Sequence, residues 1–254
     1  MALPMPPGLT HAEVAFLAEM EMVTIVPRQR LESIDLLSGQ TPPLRPPHRA
    51  QLPLWLALLL KKQRRANIVP PPWLHPASLS EIIHRETKEN PQTFSPPPPP
   101  PAHANPHDPG HARRLADADA DTILSPPFQP SCTASAPAGY LPYHWLEVAE
   151  ALLAHAGDDM AAPAGEVRSL LRDLVEVRAA KMRSSTSVLG GAENGLMELT
   201  GVGAIELAES RGFVLGVVDG VRKIGASAEA ARREDEEQGS GIHDDGGSDD
   251  DMGI

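Results

Sequence analysis

Cysteine, aromatic residues and long apolar runs are all scarce in this 254-residue chain. The single cysteine, Cys132, excludes an internal disulfide framework and a zinc site built from cysteines, and it fits a reducing compartment. Aromatic residues make up only 4% of the sequence, so the core must rely on aliphatic side chains, which favours packed helices over a β-sandwich. No apolar run reaches the roughly 18 residues that a membrane span needs, and the N-terminus lacks the features of a secretion signal.

The negative charge is concentrated at the C-terminus. Residues 234–254 hold nine acidic residues and no Lys or Arg, so the net charge of −12 falls to −3 for residues 1–233. A body so close to neutral argues against a protein whose main task is to bind a phosphate backbone on its own. Within the tail, Ser248 precedes three aspartates, a pattern typical of acidophilic kinase sites.

Proline and glycine limit how much of the chain can pack, since there are 28 prolines and 20 glycines. Residues 95–139 begin with six consecutive prolines and continue without apolar rhythm, which predicts a disordered insertion. A genuine insertion and an unspliced intron both explain this segment, and the residues alone leave the two open. Residues 228–254 are predicted to be a disordered acidic tail, because like charges repel along them.

The N-terminal part predicts a small β-rich domain over residues 1–72. Thr10 and Glu13 have the spacing of a capping box, so a short helix is expected to follow, with Val14, Leu17 and Ala18 on one face. The β-prone residues 22–26 and the alternating pattern at 34–36 predict two or three short strands. A domain this short buries too little surface to be robust alone.

Residues 73–94 and 140–227 predict a helical domain. Apolar residues recur at helical spacing along 145–156 and 167–182, and a last helix is expected over about 206–224. On that helix a glycine recurs every fourth residue, at Gly212, Gly216 and Gly220, which allows a close helix neighbour. The predicted fold class is α+β and mostly α, with a small β-rich domain followed by a helical-bundle domain.

Three groups of residues imitate known chemical sites, and each fails for a physical reason. The evenly spaced histidines would need a helix to bind a metal ion, and the prolines and glycine among them forbid that helix. The aspartates lack the glycine and the glutamate that a calcium-binding loop requires. The glycine pair lacks both the third glycine and the preceding strand of a dinucleotide-binding motif. These groups are His103, His107 and His111; Asp117, Asp119 and Asp121; and Gly201 with Gly203. The sequence therefore predicts no catalytic site, no metal site and no cofactor.

Two basic stretches remain open to interpretation. The first is a nuclear import signal, a DNA-contacting strip or a solvated helix end whose cations favour the negative end of the helix dipole; it comprises Lys61, Lys62, Arg64 and Arg65. The second is interpreted as a solvated or partner-facing helix flank, and DNA contact is less favoured there because the body lacks surplus positive charge; it comprises Arg168, Arg172, Arg178, Lys181 and Arg183.

Four sequence blocks, in order and spacing, resemble the second Psf subunits of the GINS complex, the four-subunit scaffold of the eukaryotic replicative helicase. The blocks are HAEVAFLAEMEMVTIVPR at 11–28, PLWLALLLKKQRRANIVPPPWL at 53–74, WLEVAEALLAHAGDDM at 145–160 continued by EVRSLLRDLVEVRAAKMR at 166–183, and ELAESRGFVLGVVDGVRKI at 206–224. The resemblance covers nearly all of the foldable chain.

The resemblance implies a non-catalytic nuclear subunit of a heterotetramer, with Sld-five-type, Psf-one-type and Psf-three-type partners. Through the complex it implies a bridge between the minichromosome-maintenance helicase and its forty-five-type cofactor in DNA replication, with only indirect DNA contact and no membrane or small-molecule substrate. We expect Trp55 and Trp73 to hold the two domains together, and Arg168, Arg172, Arg178 and Lys181 to serve subunit contacts. Two other classes stay open: a free-standing DNA-binding protein using basic helix ends, and an enzyme with a novel site.

Overall fold

A computed structural model describes residues 10–37, 39–99, 129–185 and 199–240, with α6 side chains described as far as residue 233. Its helices are α1 His11–Ala18, α2 Leu54–Lys62, α3 Pro76–His84, α4 Trp145–His155, α5 Ala164–Ser185 and α6 Ala204–Ser240. Short helical turns cover Pro72–Leu74, Arg85–Glu89 and Gly157–Asp159. The strands are β1 Met22–Pro27, β2 Asp35–Leu36, β3 Gly39–Gln40, β4 Ala50–Pro53 and β5 Ala66–Val69. The mostly α architecture with a small N-terminal β region is thereby confirmed.

Helix α1 begins with the predicted capping box. The Oγ1 of Thr10 accepts a hydrogen bond from the backbone N–H of Glu13 at 3.2 Å, and the Glu13 carboxylate accepts one from the Thr10 N–H at 2.6 Å. Val14 and Ala18 are buried, whereas Leu17, which lines the same groove as Val14, is 59% exposed. Phe16 is 68% exposed as well, so two apolar positions of this helix are left uncovered.

Strand β1 is the centre of a three-stranded antiparallel sheet in the order β4-β1-β5. The register pairs Val23 with Leu52 and Ile25 with Ile68, so apolar side chains of all three strands share one buried face. The second sheet is the short β2–β3 pair. Pro53 caps α2 without a side-chain hydrogen bond, in keeping with proline at a helix start.

The two parts of the fold share one core. A single cluster of buried apolar residues runs from Ala18 through β1, α2, α3 and α4 to Leu174 of α5. Trp73 and Trp145 lie within this cluster and are completely buried. The small sheet therefore obtains the burial that its own length does not supply by packing on the helical part.

The prediction of disorder over 95–139 is wrong for its described ends. Cys132 is completely buried, and the backbone N–H of Ala134 donates to the Oγ1 of Thr24 in β1 at 2.9 Å. Ser95 is also buried, and its N–H donates to the carboxylate of Glu86. Residues 100–128, which hold the histidine and aspartate patterns considered above, lie outside the described residues.

Helix α6 continues well past its predicted end at 224. It is helical through Ser240, so the prediction of a disordered tail is wrong for 228–240, whereas 241–254 with Ser248 lie outside the described residues. Its first turns pack on α1 and α4 residues, but every side chain from 221 to 233 is exposed. No described helix is long and apolar enough to span a membrane.

Candidate partner interface

An apolar groove of about 890 Å³ lies between α1 and α6. Its walls come from α1 and the residues that follow it and from the first half of α6, and they include Val14, Leu17, Met20, Leu207, Val214 and Leu215. We call this surface the α1–α6 groove. A concave apolar surface of this size is large enough to receive several side chains of another molecule.

Several apolar side chains in and around the groove are exposed. Phe16 and Met20 are 68% and 64% exposed, and on α6 Leu215 and Ile224 are 51% and 70% exposed. Single exposed apolar residues are ordinary, but a contiguous set along a groove is typical of an interaction surface.

The glycine row lies on the part of α6 that also carries the exposed Leu215 and Ile224. A Cβ added at Gly212, Gly216 or Gly220 would meet no other atom within 4 Å. Within the described chain no helix packs closely against this row, so the predicted close neighbour is not part of this chain's described fold.

Acidic groups form one end of the groove. Glu21 and His144 line it, and Glu147 lies beside His144, with 3.6 Å between His144 Nδ1 and Glu147 Oε1. All three residues are buried, at 7% exposure each. Neither carboxylate oxygen of Glu147 has a hydrogen-bond partner among the described residues. We call these three residues the acidic floor.

Burial raises the pKa of Glu21 to about 7, although nearby His144 acts in the opposite direction. Burial also raises the pKa of Glu150 and of Tyr143, and in both cases the negative charge of Glu147 adds to the rise. His11 opposes the rise at Glu150, so nearby histidines offset the effect of burial on these carboxyl groups only in part.

Two of the predicted interface residues are buried inside the chain instead. Arg178 is 1% exposed and donates four hydrogen bonds: two to Glu206 at 2.6 and 2.8 Å, one to Glu86 at 2.6 Å and one to the carbonyl of Gly201 at 2.7 Å. Its guanidinium carbon also lies 4.9 Å from the centre of the Phe94 ring. Arg178 therefore joins α5 to α6 and to the turn after α3.

Lys181 belongs to the same network and is 5% exposed. Its ammonium group donates to the carbonyls of Thr93 and Asn90 at 2.6 and 3.0 Å and to Glu86 at 3.3 Å. Burial of Glu86 opposes its ionisation, but Arg178, the Ser95 N–H and Lys181 together lower its pKa. The expectation that Arg178 and Lys181 face a partner is thus wrong, because both side chains are used within the fold.

Arg168 and Arg172 do lie on the exposed flank of α5. Arg168 donates one hydrogen bond to the carbonyl of Leu153 at 3.1 Å, which leaves donors free to face outward. A role for these two arginines in subunit contacts stays a prediction.

The tryptophans lie where the two parts of the fold meet. Trp73 is fully buried in the shared core and Trp55, half-buried, packs against it. Their role in holding the domains together stays a prediction.

A buried ion pair at the same junction was not foreseen. Lys61 is the last but one residue of α2. Its Nζ lies 2.7 Å from Asp158 Oδ2 and 2.8 Å from Asp159 Oδ2. Asp159, only 10% exposed, also accepts the backbone N–H of Ile68 in β5 at 2.7 Å. Lys61 therefore ties α2 and β5 to the turn after α4, while Lys62 and its two arginine neighbours remain exposed.

The glycine pair lies in a loop, as predicted, and both glycines have packing reasons. Gly201 has φ +82°, and a Cβ there would collide with the backbone carbonyl oxygen of Ser95. A Cβ on Gly203 would come within 2.8 Å of Trp145 Nε1. The described residues contain no group of three or more His, Cys, Asp or Glu side chains placed to bind a metal ion.

Comparisons with known proteins identify this architecture. A family model described as the GINS complex protein helical bundle domain matches residues 73–225, and one described as the PSF2 N-terminal domain matches residues 10–69. The chain is 71% identical to the DNA replication complex GINS protein psf2 of Neurospora crassa and 68% identical to that of Gibberella zeae, each over the full length of both chains. It is 31% identical to the Candida albicans protein of the same name, over 85% of this chain and 83% of that one. The chain therefore belongs to the Psf2 family of GINS complex proteins.

Proposed function

We propose that this chain is a non-catalytic structural subunit of a heterotetrameric GINS complex, with Sld-five-type, Psf-one-type and Psf-three-type partners in the nucleus. The observation that carries the proposal is the uncovered α1–α6 groove, together with the apolar residues that continue it along α6. Relatives that match the whole chain are named as proteins of a DNA replication complex. Burying such a surface contributes about 25 cal/mol per Å² of apolar area, which favours association.

Within that complex, we propose that the chain helps to bridge the minichromosome-maintenance motor and its forty-five-type cofactor during initiation and elongation of DNA replication. Contact with DNA is indirect in this proposal. The ion pairs of the fold support indirect contact with DNA. Three of the cations considered for DNA binding are paired with carboxylates inside the fold, namely Lys61, Arg178 and Lys181.

Co-expression tests the assembly. The chain expressed alone should aggregate, and it should become soluble and elute as a 1:1:1:1 complex when it is expressed with the three partners. Leu215→Glu should reduce the yield of that complex, because a carboxylate in the groove must be desolvated on assembly. Leu37→Glu is a matched control, since Leu37 is fully exposed and lies outside the groove.

A monodisperse, stable monomer that ignores the three partners would contradict the proposal. Equal yields of complex from Leu215→Glu and the wild type would contradict the role of the groove.

The competing function is DNA binding by the free chain. Only some of the basic residues on which that function would depend are exposed. Lys62, Arg64 and Arg65 are still exposed, near the end of the sheet where the Arg28 N–H donates to the Arg65 carbonyl. Purified chain whose DNA affinity falls steeply with salt, in the absence of any partner, would favour this function over assembly.

A further inference from the structure

The acidic floor holds more carboxyl groups than basic groups. Two buried carboxyl groups, those of Glu21 and Glu147, have one nearby imidazole, that of His144, between them. A protonated His144 balances one carboxylate at most, and both oxygens of Glu147 still lack a hydrogen-bond donor from the described part of the chain. A buried carboxylate without donors is costly, so the site is incomplete in the free chain.

Other charged groups around this end of the groove do not supply the missing donor. Arg211 lines the rim but is exposed and forms no ion pair with Glu21 or Glu147. His11 Nε2 lies 3.5 Å from Glu209 Oε1 and also favours ionisation of Glu150, but it forms no ion pair with Glu21 or Glu147 among the described contacts. Glu150 adds a further carboxyl group nearby. A cation from outside the described fold would complement the floor.

We propose that the α1–α6 groove receives an amphipathic helix of a sister subunit, and that one Lys or Arg on this helix inserts at the acidic floor and pairs with Glu21, which lines the groove next to His144 and, behind it, Glu147. This inference rests on the proposed function and adds the chemistry by which the partner is recognised. The partner's apolar residues cover the walls of the groove, and its single cation adds positive charge beside carboxyl groups that are already buried in the free chain.

The shape of the groove favours a helix as the occupant. Its two walls are themselves helices, and apolar residues such as Leu207, Val214 and Leu215 follow one another along α6. A third helix packs into such a furrow by placing a ridge of side chains between the ridges of its neighbours. Met20 on the rim is flexible and adapts to the partner's surface.

A cation on the partner helix is expected because the walls of the groove are apolar and its floor is acidic. A Lys or Arg stem is aliphatic and lies well against apolar walls, while its charged head reaches the carboxylates at the end. A neutral apolar residue would add no positive charge beside Glu21 or Glu147, and the oxygens of Glu147 have no hydrogen-bond donor among the described residues. A purely apolar helix is therefore a poorer match than one with a single cation.

Segments of this chain outside the described residues are the competing occupants. Residues 186–198 contain no Lys or Arg, so they lack the required cation. Residues 100–128 contain Arg113 and Arg114 and lead into Gln129, which lines the groove. Occupancy by this segment is the outcome that the test must distinguish.

Site-specific cross-linking in the co-expressed complex identifies the occupant. With Leu207 replaced by p-benzoylphenylalanine, we expect a cross-link to a sister subunit, at a helical peptide that carries a Lys or Arg within one turn. A cross-link to residues 100–128 of the same chain, or to a peptide without a cation, would overturn the proposal.

A charge variant then tests the pairing. Glu21→Gln combined with Glu147→Gln should weaken assembly by about 30-fold or more, because the partner's cation would be buried without its counter-charge. The same variant should leave the free chain at least as stable, since it removes two uncompensated buried carboxylates. Replacing the cross-linked cation by Gln should restore assembly of the double variant.

The matched control is Glu19→Gln, which changes an exposed carboxylate two residues before Glu21 and leaves the floor intact. Unchanged assembly of the floor variant at all salt concentrations would overturn this inference while leaving the proposed function intact. Failure of the wild-type chain to form any complex with the three partners would instead overturn the proposed function.

Discussion

Replacing Arg178 by Met tests whether the buried ion network holds the helical domain together. Arg178 donates four hydrogen bonds, three of them to the carboxylates of Glu86 and Glu206. Removing one partner of a buried pair costs about 3–5 kcal/mol, because the other charge stays buried without compensation. Lys181 still pairs with Glu86, which reduces the cost, and loss of the contact with Phe94 adds about 0.5–1 kcal/mol. We expect a net loss of about 4 kcal/mol.

Hydrogen exchange in the assembled complex measures this loss locally. At about 1.4 kcal/mol for each factor of ten, amides of residues 199–206 should exchange about 1,000-fold faster in the Arg178→Met complex. Arg172→Met is the matched control on the exposed flank of the same helix, and its effect should stay within about 0.5 kcal/mol. Adding Glu206→Gln to Arg178→Met should recover part of the loss, since it removes the uncompensated carboxylate.

Less than about tenfold faster exchange in the Arg178→Met complex would refute the reasoning, because a cost that small is typical of a surface position. A double variant less stable than Arg178→Met alone would also refute it. In that case the carboxylate of Glu206 would be stabilising through its bond to the Gly203 N–H instead.

Three further predictions follow from the described contacts. For Glu21, the folded-state pKa of about 7 lies above the ordinary value of 4.5, so the folded chain keeps a proton that the unfolded chain releases. The free energy of unfolding should therefore fall by about 3 kcal/mol in total as the pH rises from about 4.5 to 7. Thermal melting of the free chain, produced as a soluble fusion, measures this pH dependence, which should be lost in the Glu21→Gln variant. Gly201→Ala should lower the yield of soluble complex strongly, because positive φ and the collision with the Ser95 carbonyl both oppose a side chain. Asp159→Ala should destabilise the domain junction by about 2–3 kcal/mol, read by hydrogen exchange of β5, since Lys61 and the Ile68 N–H both lose a buried acceptor.

Each of these three has a neighbour as its control. Glu19→Gln changes an exposed carboxylate in the same turn as Glu21 and should leave the pH dependence as it was. Gly157→Ala meets open space and should be tolerated, so equal losses at Gly157 and Gly201 would argue against a steric cause. Asp158 is 70% exposed, and an Asp158→Ala effect as large as that of Asp159→Ala would contradict the buried acceptor as the cause.

The helices and the central strand were predictable because their signals are local. The capping box at Thr10, the β-prone run before Pro27 and the apolar spacing of α4 and α5 depend only on neighbouring residues. These signals place the elements of the core to within a few residues.

The burial of Arg178 and Lys181 was missed, although one sign was present. Arg178 lies seven and four residues after Leu171 and Leu174, and four before Met182, so it belongs to the apolar stripe of α5 rather than to its flank. Its partners come from other helices, and no spacing within α5 reveals them. The same holds for Lys61, whose aspartates lie nearly a hundred residues further along the chain.

The packing of residues 129–139 could not be foreseen, since they have no apolar period. Their burial depends on complementary positions on β1, such as Thr24, and composition alone contains no information about such a contact. The acidic floor was missed for a similar reason. Glu21, His144 and Glu147 are ordinary polar residues in the sequence, and only the packing of α1 against α4 brings them together.

Residues 129–139 pack against β1, and this contact sets the boundary for any deletion of the low-complexity segment. A deletion of 95–139 would remove Cys132 and Ala134 and uncover the side of β1 that carries Thr24, whereas a cut limited to 100–128 keeps both residues in place. Closing a shorter connection changes the chain entropy by only about 0.6 kcal/mol for each halving of its length. A trimmed gene designed on the narrower boundary should therefore yield a particle with an undisturbed sheet, a convenient starting material for cryo-microscopy.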